Sequence, residues 1–265
     1  MVMQRRRLHI LTSSAVPTGF APAIDFDREE FDWLRNLGRR TLTEATRIAR
    51  LAEPSEDLEI STEVTLEPIA AELVHRSEHA YLLVVGSRGL GAVRRGLLGS
   101  VSTAAAHHAH CPVAVVHSSA ADSIAAGKPI LVGVDGTRNS EPALAFAFEE
   151  ASRRKVGLVA LHAWIDAGNP DILLPGWEAV RESAGVALSE SLAGWSDKYP
   201  DVPVRRIVVR DRPAQSLPQE SGSAQLVVVG SHGRGGFTGM LLGSTSNTLL
   251  HAVDCPIIVV RRARL

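Results

Sequence analysis

Short, unbroken apolar runs recur along the chain: Leu82-Leu83-Val84-Val85, Leu226 to Val229 and Ile257 to Val260, each bounded by Gly or Pro punctuation. A strand that alternates apolar and polar residues buries one face, whereas an unbroken run buries both, so these are expected to be parallel strands covered by helices. Across the second half the pattern predicts strand 129–135, helix 140–154, strand 157–164, a Gly/Pro-rich loop, helix 177–198, strand 203–209, helix 213–222, strand 225–230, helix 244–253 and strand 256–261. Strands alternating with helices in this way make a five-stranded, doubly wound α/β domain.

Sliding the sequence against itself by 144 residues aligns Val84–Val116 with Val228–Val260, and 16 of the 33 positions are identical. Composition alone would match about two, so the chain is a duplication. Read against the second half, the first half opens with residues 5–12 as its second strand, Leu8-His9-Ile10 matching Leu161-His162-Ala163. Nothing upstream supplies a first strand or a first helix. The segment rich in Ser and Ala near residue 120 has little to bury and reads as a linker. The expected organisation is an incomplete domain over 1–119, a linker over 120–128 and a complete domain over 129–265.

Charge narrows the partners. Twenty-eight basic and 29 acidic residues leave a net charge of −1, so no whole-chain field draws in nucleic acid or anionic lipid, and neither is an expected partner. The basic start is followed by a stretch broken by Thr12, Ser13, Ser14, Pro17 and Gly19, which makes a poor signal sequence, and the cytoplasm is the expected location. Cys111 and Cys255 both precede Pro and an apolar run, as small buried residues opening a strand do.

After the fourth strand of the fold each half carries the spacing G-x2-G-x9-G-S: Gly86, Gly89, Gly99, Ser100 and Gly230, Gly233, Gly243, Ser244. Glycines there permit positive φ and let main-chain N–H groups approach phosphate oxygens, while the third glycine and its serine open a helix whose free N–H groups favour an anion. Ser100, Ser102, Ser244 and Ser246 can add hydroxyl donors. A plain turn followed by a helix cap explains one such copy, but two copies at identical spacing favour the anion site. No Gly-Lys-Ser or Gly-Lys-Thr follows, and the glycines do not follow strand one, which argues against a P-loop NTPase or a dehydrogenase.

Asp135 ends the strand Ile130–Val134 at the sheet edge where open α/β folds hold ligands. It can accept a ribose hydroxyl or hold Mg²⁺; a turn aspartate before Gly136 is the plainer alternative. His107, His108 and His110 tempt a zinc reading, but they crowd one helix end and His107 matches His251, so a helix C-terminal role is the plainer reading. His232 lies in the glycine loop but is replaced by Arg88 in the other copy, so it reads as a contact and not as a general base.

VGVDGT at 132–137, LHAW at 161–164 and VVVGSHGRGGFTGMLLGSTSN at 227–247 resemble the universal stress protein family, with its adenine nucleotide alpha hydrolase-like fold. The resemblance implies ATP as ligand, with Mg²⁺ alongside it near Asp135. It places Gly133, Val134 and Asp135 at base and ribose, Ala163 on the adenine, and Val229, Gly230, His232 and Gly233 around the nucleotide. Gly243, Ser244, Thr245 and Ser246 fall on the phosphates. The first half matches only in Val85, Gly86, Arg88, Gly89, Gly99, Ser100, Val101 and Ser102, a partial site without a counterpart of Asp135.

The resemblance further implies a homodimer assembled through the last strands, 112–117 and 256–261. In that fold strand one is central, so its loss from the first half leaves a gap; Met1–Gln4 are then expected to be the tail of the first helix, with the natural start about 40 residues upstream. The expected function is a nucleotide-responsive stress regulator without required turnover. A slow ATP hydrolase, which needs a base aimed at the phosphates, and a scaffold with degenerate sites are the alternatives.

Overall fold

The structure, a computed structural model, describes residues 7–15, 28–53, 58–87, 98–117, 127–164, 177–234 and 241–261. They fall into two compact units, Met1–Leu73 and Val74–Leu265. Of the expected linker only Gly127 and Lys128 are among the described residues.

The first unit is one βαβ motif. β1 (Leu8–Ser13) pairs in parallel with β2 (Ile60–Thr65), and α1 (Arg28–Ala52) connects them. The helix lies close against its strands at Gly38, where a Cβ would stand 2.7 Å from Val64 and 2.9 Å from the Ser14 hydroxyl. Leu42, one turn on, is buried.

The second unit holds α2 (Ile69–Arg76, from Val74 onward), β3 (Leu83–Gly86), α3 (Ser100–His108) and β4 (Val113–Val116) together with all of the second half. The latter runs β5 (Ile130–Gly133), a 3-10 turn (Arg138–Ser140), α4 (Glu141–Arg154), β6 (Leu158–Ala163), α5 (Trp177–Lys198), β7 (Val204–Val209), α6 (Pro213–Ser221), β8 (Leu226–Gly230), α7 (Ser244–Ala252) and β9 (Ile257–Val260). Each strand and helix lies within the expected span, the ends trimmed by a residue or two as capping and fraying dictate.

These strands form one seven-stranded sheet in the order β3-β4-β9-β8-β5-β6-β7, and β5 is central to the last five. The doubly wound α/β fold expected of the second half is present. α4 shows why it buries: Ala143, Leu144, Ala147, Phe148 and Ala151 form a continuous helical stripe, all nearly inaccessible. Phe148 stacks at 6.2 Å on Trp195 and 5.8 Å on Tyr199, joining α4 to α5 and the chain beyond it.

One expectation is corrected here. The last strands of the two halves were expected to carry a dimer between chains, but they pair with each other: β4 and β9 run antiparallel, with Val113 opposite Val259, Ala114 opposite Ile258 and Val115 opposite Ile257. β4 is bonded on its other edge to β3, and β9 to β8. With both edges occupied, neither strand offers backbone groups to a second chain.

The first half's four strands therefore lie in two sheets. Among the described residues β1 has only β2 as partner and β3 only β4. Both cysteines are buried and free; burial raises the Cys111 thiol, and raises that of Cys255 to about 11. Among the described residues no helix is long and apolar enough to cross a membrane.

Candidate functional site

Two strand ends and one helix start build the site. At the carboxyl end of β5 the chain turns through Val134, Asp135 and Gly136, and Gly136 takes φ 75°, a conformation that side chains resist. The Asp135 carboxylate is fixed by its own turn: it accepts from the Thr137 amide at 2.7 Å, from the Thr137 hydroxyl at 2.8 Å and from the Ser140 hydroxyl at 2.6 Å. All three fall on Oδ1, and the Thr137 hydroxyl also lies 3.0 Å from Oδ2. Oδ2 faces Gly233, whose Cβ position lies 3.6 Å from it, so the turn and ligand readings of Asp135 are compatible.

Beyond β8 the chain bends at Gly230, and Gly243 returns to donate its N–H to the Ser231 carbonyl at 2.7 Å. α7 starts there without a side-chain cap. Its first-turn N–H groups, those of Ser244, Thr245 and Ser246, have no partner within the helix and lie at its open N-terminal mouth. Residues 235–240 lie outside the described chain.

The Ser246 hydroxyl does not face that mouth. It is buried and donates to the Gly230 carbonyl at 2.6 Å, clasping helix to strand. Nor does positive φ explain the loop glycines: among the described glycines only Gly127 and Gly136 adopt it. Crowding does. A Cβ on Gly230 would meet the Asn139 carbonyl at 3.2 Å and one on Gly243 the Ser231 carbonyl at 3.2 Å. Gly133 is hemmed in by Leu217 at 3.1 Å and Val229 at 3.2 Å.

Cross-strand bonds join the two ends. Asn139 donates to the Gly233 carbonyl at 3.3 Å, and Arg234 Nε donates to the Asp135 carbonyl. Ala163 ends β6 opposite Val209, half-buried on the same rim. His232 is half-buried, its Nδ1 3.1 Å from the Ser231 hydroxyl.

The first half repeats the loop side closely. Gly99 caps α3 at φ −68°, ψ 156°, against −67°, 151° for Gly243. Its N–H donates to the Ser87 carbonyl at 2.8 Å, and buried Ser102 donates to the Gly86 carbonyl at 2.9 Å. Val85, Gly86, Gly99, Ser100, Val101 and Ser102 are thus brought together; Arg88 and Gly89 lie outside the described residues. Among the described residues no counterpart of the Asp135 turn stands beside this copy.

Comparison with known proteins bears on what this rim belongs to. A model of the universal stress protein family matches residues 4–117 and again 127–261. The chain belongs to the universal stress protein family. Two universal stress proteins of Mycobacterium tuberculosis are 49% identical over 237 residues, covering 87% of this chain and 79% of the relative, and 43% identical over 239 residues, covering 87% and 78%. A universal stress protein from Archaeoglobus fulgidus superposes with a TM-score of 0.68 at 19% identity, over 97% of this chain and 88% of its own. Both copies of this stress protein's repeat are therefore universal stress protein domains in sequence.

Two residues of the rim escaped the sequence reading. His162 is fully buried in β6, and its Nδ1 lies 2.7 Å from the Val134 carbonyl. A carbonyl only accepts, so in the neutral ring Nδ1 carries the proton and Nε2 is the acceptor. Arg234 donates to that Nε2 at 3.0 Å. The available signal was a single polar residue inside the apolar run Leu158–Ala163, the kind a fold keeps only when its polar atoms are paired.

Burial holds the His162 imidazole below the usual 6.5, and Arg234 adds to this against the opposing bond to Val134 and charge of Asp135. The unfolded chain takes up the proton first, so the stability His162 contributes is complete above about pH 6.5 and is lost as pH falls below it toward the depressed native value. The urea midpoint is expected to drop as pH falls below about 6.5, and His162→Gln to flatten that drop. An unchanged slope would mean that His162 charges as freely folded as unfolded.

Proposed function

We propose that this universal stress protein binds one adenine nucleotide per chain, ATP by preference, at the β5 and β8 rim of its second half, and acts as a cytoplasmic nucleotide-responsive stress regulator. The observation that carries the reading is convergence. An anchored carboxylate, Asp135, and the uncapped start of α7 share one edge of the sheet, and a Cβ on Gly230 or Gly243 between them would crowd backbone carbonyls at 3.2 Å.

The residues fit the ligand. Helix N–H groups at Ser244, Thr245 and Ser246 suit phosphate oxygens, Gly230 and Gly243 let the neighbouring backbone segments pack closely beside them, and Asp135 Oδ2 faces Gly233, within reach of a ribose hydroxyl. Mg²⁺, when present, would take one protein carboxylate, Asp135, and otherwise phosphate oxygens, as that ion commonly does. Among the described residues no group of three or more His, Cys, Asp or Glu could hold a metal. The first half offers only the phosphate side, and so is assigned no nucleotide of its own.

Mass spectrometry of ligand released on denaturing the purified protein tests this. Near one ATP per chain supports the reading. ADP and phosphate accumulating over time would make the protein a slow hydrolase, and an empty protein that ignores added ATP would make it a scaffold.

A further inference from the structure

Arg234 follows the end of β8 by four positions and reaches back over the end of β5. Its Nε donates to the Asp135 carbonyl, and one terminal nitrogen donates to His162 Nε2 at 3.0 Å. The same nitrogen would lie 3.0 Å from a Cβ on Gly136, so the guanidinium lies directly on that glycine. Asp135 and Ala163, the proposed nucleoside contacts, are the residue whose carbonyl Arg234 holds and the neighbour of the imidazole it holds. The guanidinium therefore stands at the nucleoside end of the rim.

We propose that Arg234 is the selectivity latch of this site, holding the nucleoside end through the Asp135 carbonyl and His162 and exchanging His162 for a phosphate oxygen when a nucleotide enters. The inference rests on the nucleotide reading above and names what lets the site prefer nucleotides to nucleosides.

The exchange is favourable for one class of ligand. Both acceptors that Arg234 now holds are uncharged, a carbonyl and a neutral imidazole, whereas a planar, permanently charged fork pairs best with an anion. Arg234 is exposed and adjoins Gly233, whose backbone nitrogen lies 3.8 Å from the Cβ position of Gly243 at the mouth of α7. A short swing carries it from the nucleoside end to the phosphate end. Adenosine displaces the guanidinium and returns nothing; ATP displaces it and supplies its new partner.

Calorimetric titration of the full chain with adenosine and with ATP, for wild type, Arg234→Ala and Arg234→Lys, tests the latch. Arg234→Ala is expected to tighten adenosine about 10-fold and weaken ATP about 10-fold, narrowing the preference ~100-fold, the scale of one charge-assisted pair. Arg234→Lys should recover part of the ATP affinity. Both affinities unchanged, or both falling together, would overturn the proposal. Nitrogen NMR separates it from the parent reading: on saturation with ATP the wild-type His162 Nε2 resonance should move to its position in Arg234→Ala. If ATP binds and that resonance stays, the latch is wrong and the nucleotide site stands; if wild type binds neither ligand, both fall.

Discussion

Gly243→Val is expected to abolish measurable ATP binding, a loss of at least ~100-fold, or about 2.7 kcal/mol. The reason is space and not backbone strain. Gly243 holds φ −67° and ψ 151°, which valine adopts readily. Its Cβ, however, would stand 3.2 Å from the Ser231 carbonyl and 3.5 Å from the His232 Cα. The branched methyl groups extend further toward residues 231–233, beside the α7 N–H groups proposed to meet the ligand. Pushing the arms apart misplaces those donors and the Gly243 N–H bond to Ser231 together. Isothermal titration with ATP is the measurement, with Gly99→Val as its matched control. Gly99 has nearly the same dihedrals in the first half but no Asp135 turn beside it, so that variant should leave the affinity within about twofold. Retained binding in Gly243→Val would place the site elsewhere.

How much of this was legible in the sequence depends on the range of the interaction. Strands and helices of the second half follow from local pattern, because an apolar run such as Leu226–Val229 can only be satisfied between two helical layers. The spacing of Gly230, Gly233, Gly243 and Ser244 announced a loop between strand and helix. Its physical basis was less legible: whether a glycine is required by φ or by a neighbour's carbonyl depends on atoms that the chain itself does not order. The antiparallel contact of β4 with β9 was illegible for the same reason. The pattern Val113-Ala114-Val115 says that both faces are covered, not which strand lies at each edge. His162 and Arg234 are 72 residues apart, and their bond exists only because β8 and β6 both flank β5.

That β4–β9 pairing predicts the largest effect on stability. Ala114 lies opposite Ile258 and is packed among the core of the second half, with Ile258 and Val260 in the same cluster. It is 6% exposed. Ala114→Asp buries a carboxylate among the apolar side chains of that cluster. Such a charge either stays ionised without a partner or takes a proton at neutral pH, and both routes cost free energy. A destabilisation of roughly 4 kcal/mol is expected, at the upper end for single substitutions. Urea denaturation at neutral pH measures it, and the deficit should shrink as pH falls, since protonation in the folded state relieves the buried charge. Ala114→Val, which adds bulk without charge, should cost about 1–3 kcal/mol with no such pH dependence. Equal and small losses for both would show that β4 separates from β9 at little cost, and that the two halves do not share one core.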